Sequence, residues 1–288
     1  MLGLWTKTRT TLEMIKWEHS IFALPFALTA TLLAAHGWPA WRTVGWILVA
    51  MVSARSAAMA FNRWADAELD AENPRTKSRA IPAGLLTRGF VLGFTGVMAL
   101  IFLGAAAELN RLTLEMAPMA LAVLLGYSYL KRVTQWSHLG LGLALGLAPT
   151  AAWIAVRGTL DARILVLTAA VTLWVGGFDV LYACQDFEHD RAAGLHSIPQ
   201  ALGLAMAFRI ARLMHLGQLV LLVWFGELFH FHALGWMGIA AVALLLAYEH
   251  SLVSPRDLSR LNAAFFTMNG VIAPVFLGFV AADLWLLH

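Results

Sequence analysis

The chain has 288 residues, 60% hydrophobic and 13% charged, with a mean hydropathy of +0.72. A soluble domain carries about 25% charged residues, so this composition excludes a soluble globular protein. The formal net charge of +3 is too small for a nucleic-acid surface, and the single cysteine, Cys184, excludes an internal disulfide.

Apolar runs of about 20 residues lack period-2 alternation, so they predict membrane-spanning helices and not barrel strands. Nine spans are expected, near 20–37, 43–64, 88–108, 112–130, 138–156, 163–184, 204–226, 231–252 and 263–286. Lys7, Arg9 and Lys16 precede the first run, Ile21 to Ala35, which reads as a span and not as a cleavable signal. The second span runs into NRWADAELD from Asn62, and the basic loop NPRTKSRAIPAG from Asn73 follows, its Asn73-Pro74 ending the helix. The fourth span ends at Tyr127 and Lys131. The sixth runs into QDFEHD from Gln185, followed by RAAGLHSIPQALG from Arg191. His230 and His232, between spans seven and eight, read as interfacial. No linker divides residues 1–288, so a single domain is expected.

Lys and Arg set the orientation. With the N-terminus in the cytoplasm, the inner side holds Lys7, Arg9, Lys16, the Arg75–Arg88 loop, Lys131, Arg132, Arg191, Arg256 and Arg260. The outer side holds Arg42, Arg111, Arg157 and Arg163. This asymmetry predicts a multi-pass protein of the inner (plasma) membrane with both acidic motifs facing the cytoplasm. Asp66 to Asp186 and Asp70 to Asp190 are each 120 residues apart, and Tyr127 to Tyr248 is 121. The repeat predicts an all-α fold of two four-helix units plus a ninth helix, with the two acidic helix ends facing one another.

Those acids carry the chemistry. On a helix Arg55, Asn62, Asp66 and Asp70 fall within an arc of roughly 80°, and Glu68 points away. Asp179, Tyr182, Asp186 and Asp190 likewise share a face, opposite Glu188. Four carboxylates at span ends are costly without compensation. Magnesium is the natural compensation, because it binds one or two carboxylates together with phosphate oxygens. A diphosphate between two Asp-bearing helices would receive metal from each side, with Asn62 a neutral ligand. Arg75, Lys77 and Arg79 offer donors to phosphate, as do Arg191, His196 and Ser197; the other reading of these residues is topology and lipid contact. Lys131 binds a phosphate or a carboxylate, or else snorkels to the interface. Trp153, Trp174 and Phe178 are either cavity aromatics or packing.

At these residues the chain resembles the UbiA superfamily of intramembrane prenyltransferases. Asn62-x3-Asp66-x3-Asp70 looks like its first motif, Asp186-x3-Asp190 like its second, and Tyr127-x3-Lys131 like its YxxxK element. The resemblance covers almost the whole chain. It implies a central cavity among nine helices, magnesium, a polyprenyl diphosphate donor and an aromatic acceptor. It assigns Asn62, Asp66, Asp70, Asp186 and Asp190 to metal and diphosphate, and Arg75, Arg79 and Lys131 to diphosphate. Tyr127, Asp179 and Tyr182 complete the expected substrate-binding set. MIKWEHSIFALPFAL from Met14 and ARSAAMAFNR from Ala54 are similar to the 4-hydroxybenzoate polyprenyltransferase-like group. The stretch Lys16 to His19 replaces the RxDxPIG-like opening common in ubiquinone synthesis, and Asn62-Arg63 replaces the usual Asn-Asp. This variant is similar to enzymes suggested to prenylate 1,4-dihydroxy-6-naphthoate on the futalosine route to menaquinone.

The expected reaction ionises the allylic C–O bond and joins the prenyl carbon to the ring ortho to a hydroxyl. Arg55, Lys16 or His19 would hold the carboxylate of an aromatic acid acceptor; the other reading of Arg55 is a resident salt bridge, with Asp179 as the candidate partner. The expected partners are the two substrates and membrane lipid, with no nucleic acid and no obligate protein partner. Two alternatives stand beside this reading: a different acceptor, such as protoheme or a lipid alcohol, and a cation transporter, since intramembrane acids also mark ion paths.

Overall fold

The computed structural model describes residues 4–16, 23–261 and 268–286. The described residues form twelve α-helices: α1 (Leu4–Ile15), α2 (Leu24–Ala35), α3 (Trp41–Ala65), α4 (Ala67–Glu72), α5 (Arg88–Leu109), α6 (Arg111–Gly126), α7 (Ser137–Arg157), α8 (Ile164–Ala183), α9 (Phe187–Ala193), α10 (Ile198–Leu228), α11 (Ala233–Leu252) and α12 (Asn269–Leu286). Short 3-10 turns, Tyr127–Arg132 and Cys184–Asp186, extend α6 and α8. Eight of the nine expected spans are long and apolar enough to cross a membrane. The other is represented by the 12-residue apolar helix α2, and part of that expected span, with Trp17 to His19 just before it, lies outside the described residues.

Helix boundaries follow local chemistry. Thr87 caps α5 by accepting from Phe90 N–H, and Ser197 caps α10 by accepting from Gln200 N–H. Asn110 caps α6 through Thr113 N–H, and its amide donates to the Ile154 carbonyl at 2.8 Å, tying α6 to the end of α7. Two glycines of α7 set its distance from α8. A Cβ on Gly142 would lie 2.3 Å from the Thr172 carbonyl oxygen, and one on Gly146 would lie 2.8 Å from that of Thr168. Small residues let membrane helices approach this closely.

The helices α3 and α5 pack together, as do α7 with α8 and α8 with α10. The helix α2 lies against α7 and α12, across the boundary between the two repeat units. The main core gathers where α2, α8 and α12 meet, with Phe26 packed on Trp174 and Phe276. Trp153, Trp174 and Phe178, the three aromatics singled out in the sequence, all belong to this core, and of them Phe178 alone also lines the cavity described below.

The repeat is written in the backbone. Both acidic motifs break their helix at the first Asp: Asp66 has φ −93° and ψ 5°, and Asp186 has φ −99° and ψ 9°. A short helix, α4 or α9, carries the second Asp of each pair. The expectation of one continuous helix through each pair is therefore corrected. At the first break, Asp70 N–H still donates to the Asp66 carbonyl at 2.8 Å, so that pair stays one turn apart. The repeat does not extend to the tyrosines. Tyr127 faces the cavity, whereas Tyr248 is 55% exposed.

Candidate active site

A cavity of about 690 Å³ opens where the two breaks meet. Asp66, Asp70, Asp186 and Asp190 all line it, together with Arg55, Asn62, Arg75, Arg79, Tyr127, Lys131, Asp179 and Tyr182. These residues of the two motifs and the expected substrate-binding set thus reach one space. Glu68 and Glu188 do not: Glu68 pairs with Arg88 at the surface, and Glu188 is exposed. Lys16, His196 and Ser197 also line the cavity, whereas Lys77 and Arg191 are exposed and lie away from it. His19 lies outside the described residues.

Each carboxylate has its own partner. Asp66 is only 2% exposed and meets Lys131 Nζ at 2.7 Å and Arg132 at 3.2 Å, while the Asn62 amide donates to it at 3.0 Å. Lys131 thus points inward and does not snorkel. Asp70 pairs with Arg79 at 2.6 Å through one oxygen, and its other oxygen is buried with no hydrogen-bond partner. Asp186 takes both prongs of Arg75, one from Nε at 2.8 Å. Asp190 accepts from Ser197 Oγ at 3.0 Å.

The first basic loop latches the two motifs together. Arg75 lies in that loop yet grips Asp186, 111 residues away, and also donates to the Tyr182 hydroxyl at 3.1 Å. Burial alone would lower the Arg75 pKa, but the hydrogen bonds and charge of Asp186 outweigh it and raise the pKa above its ordinary value. Asn73 makes the same crossing, its amide donating to Asp186 at 3.0 Å while its carbonyl accepts from Arg75 N–H at 2.9 Å. The second loop docks on the first half in turn, with His196 N–H donating to the Lys131 carbonyl at 2.8 Å.

Sequence reasoning missed three residues here. Asn73 read only as a helix stop, Arg132 only as a topology signal, and His138 was not noticed. The available signal for Asn73 was its place in front of Pro74 and Arg75, where an Asn side chain commonly folds back on its own loop.

A smaller apolar cavity of about 180 Å³ adjoins the first. The two share Arg55, Met59, Tyr127, Leu141 and Leu145 as lining residues. Arg55 therefore stands where a polar, cation-rich chamber gives way to one walled by Ile47, Met51, Phe102, Met116 and several alanines.

Fold and site together define a helical membrane protein whose two acidic helix ends share one highly charged cavity with an apolar annexe. The chain belongs to the UbiA prenyltransferase family, whose model matches residues 23–271. It is similar to a 4-hydroxybenzoate octaprenyltransferase of Cupriavidus metallidurans, at 34% identity over 88% of this chain and 86% of that one. A protein of the same name from Ralstonia nicotianae is 31% identical over 87% and 86%. Among solved structures, the apo form of a UbiA homolog from Aeropyrum pernix K1 is similar with a TM-score of 0.84 and 30% identity, covering 92% of this chain and 98% of that one. A UbiA homolog from Archaeoglobus fulgidus, solved with DMAPP and Mg2+, shares the fold at a TM-score of 0.73 and 17% identity, over 96% and 99%.

Proposed function

We propose that this protein transfers a polyprenyl group from a polyprenyl diphosphate to the ring of an aromatic acid resembling 4-hydroxybenzoate, with magnesium, in quinone biosynthesis. The observation that carries this reading is the single cavity in which two Asp pairs face Arg75, Arg79 and Lys131 and which continues into an apolar chamber. A diphosphate joined to an isoprenoid tail has that same division of polarity. The names of the relatives support the reaction, and the family match leaves the cation-transporter reading without support.

The donor set suits magnesium. It consists of carboxylate and amide oxygens, and it includes the buried Asp70 oxygen that lacks a partner. Among the described residues no three acids or histidines converge as a ready-made metal cage. Magnesium is held by one or two carboxylates, with phosphate oxygens and water completing its shell. Asn62, Asp66 and Asp70 on one side, and Asp186 and Asp190 on the other, would hold it. When bound, the metal neutralises charge on the diphosphate. Arg75, Arg79 and Lys131 line the same cavity, and their N–H groups would stabilise the oxygens of the leaving group, favouring C–O ionisation. The apolar walls keep water from the allylic cation.

The basic loops and acidic motifs face the cytoplasm of the inner membrane in this proposal. In a Cys184→Ser background, Lys77→Cys should react with an impermeant maleimide only after the cells are opened. Labelling of intact cells would invert the orientation.

Arg55 lines both chambers, and in this proposal it takes the acceptor carboxylate at their junction. Purified protein is assayed with farnesyl or geranyl diphosphate and with either 4-hydroxybenzoate or 1,4-dihydroxy-6-naphthoate. Prenylated product is expected from an aromatic acid, and product from neither acceptor would overturn the function. Arg55→Met should raise the acceptor KM about tenfold or more and leave the donor KM nearly unchanged. An unchanged acceptor KM in the folded variant removes Arg55 from acceptor binding.

A further inference from the structure

Two carboxylates lining the cavity belong to neither Asp pair: Glu13, which is exposed and paired with Arg9 at 2.8 Å, and Asp179. Asp179 lies on α8 about two turns before Asp186, and its Oδ2 is 2.7 Å from Nδ1 of His138 on α7. The other imidazole nitrogen is committed, since the backbone N–H of Ile198 donates to His138 Nε2 at 3.3 Å. A backbone amide only donates, so Nε2 carries no proton, and the ring proton sits on Nδ1 and is donated to Asp179. The His138 side chain is 4% exposed and that of Asp179 24%, so the imidazole is fixed while the carboxylate opens on the cavity.

We propose that Asp179 is the base that takes the ring proton of the aromatic acceptor, and that His138 is the positioning residue that holds it for that task. The inference rests on the prenyl-transfer reading above. In the step, the allylic C–O bond breaks and its electron pair leaves with the diphosphate. The ring carbon ortho to the hydroxyl forms the new C–C bond. The proton on that carbon passes to Asp179, and the C–H electron pair restores the aromatic ring.

The other carboxylates are less suited. Asp66, Asp70 and Asp186 are each already paired with a lysine or arginine, and Asp190 belongs to the diphosphate set. His138 gives Asp179 a hydrogen bond without a full positive charge. It also ties that carboxylate to the start of α10. Ile198 holds His138 there, and the adjacent Ser197 holds Asp190 at 3.0 Å. The proton acceptor and one wall of the diphosphate site are thus registered by neighbouring residues of one helix end.

The test measures kcat and both KM values. Asp179→Asn keeps the shape and the bond from His138 and should lower kcat by about 10²–10⁴-fold, the range of a positioned general base. His138→Leu should lower kcat by about a hundredfold with the donor KM unchanged. His138→Gln supplies one donor and one acceptor at similar reach and should recover activity to within a few-fold of wild type. Wild-type kcat in Asp179→Asn overturns the proposal, and that variant stands even where His138→Leu fails to fold. A His138→Gln variant as impaired as His138→Leu overturns the positioning role. Absence of product from the wild type itself would instead defeat the prenyl-transfer reading.

Discussion

Asp66→Ala should abolish prenyl transfer, with product falling by about a thousandfold or more. Asp66 is the most enclosed of the four motif carboxylates, and three groups converge on it: Lys131, Arg132 and Asn62. Removing it takes away a proposed magnesium ligand and leaves two cations facing each other without an anion. Breaking a buried pair from one side costs about 3–5 kcal/mol, but Lys131 and Arg132 are each about a third exposed, so solvent softens the penalty. The variant should therefore still elute as a folded protein in detergent. Glu188→Ala, whose side chain points away from the site, should retain activity. Near-normal turnover in a folded Asp66→Ala protein would remove the first motif from the reaction.

The second large effect is expected at Arg75. It grips Asp186 with two prongs and touches the Tyr182 hydroxyl, so one side chain from the first half fixes the second motif. In the proposed reaction its guanidinium would also meet the charge gathering on the leaving diphosphate. Arg75→Met should lower kcat by about 10²–10³-fold, the cost of losing an electrostatic stabiliser of the transition state. Arg75→Lys keeps the charge but loses the fork that matches a carboxylate or phosphate, so it should recover only part of the loss. Full recovery by lysine would mean that charge alone matters at this position, and an unimpaired Arg75→Met would place the residue outside the chemistry.

The four Asp residues were legible because charge is expensive in so apolar a chain. An acid that stays there needs a partner, and the i, i+4 spacing gave each pair a common direction. The basic loops were legible for the complementary reason. The break at each first Asp was not, because the apolar period runs through it; the kink appears only when Asp66 and Asp186 adopt φ near −95° in three dimensions. Nor could spacing reveal which cation meets which carboxylate. Arg75 with Asp186 and Lys131 with Asp66 are pairings across 111 and 65 residues, set by helix packing. His138 had no local signature, since its role depends on Asp179 and Ile198 from two other helices. Trp153 and Trp174 could not be sorted from Phe178 by composition, because core and cavity walls use the same aromatic types.

In the proposed reaction the two acidic helix ends hold a diphosphate through a divalent cation. Prenyl transfer by the purified wild-type protein, measured in magnesium, in EDTA, and after magnesium is restored, tests it most directly. Product should form in magnesium, vanish in EDTA and return on restoration. Undiminished product in EDTA would contradict it.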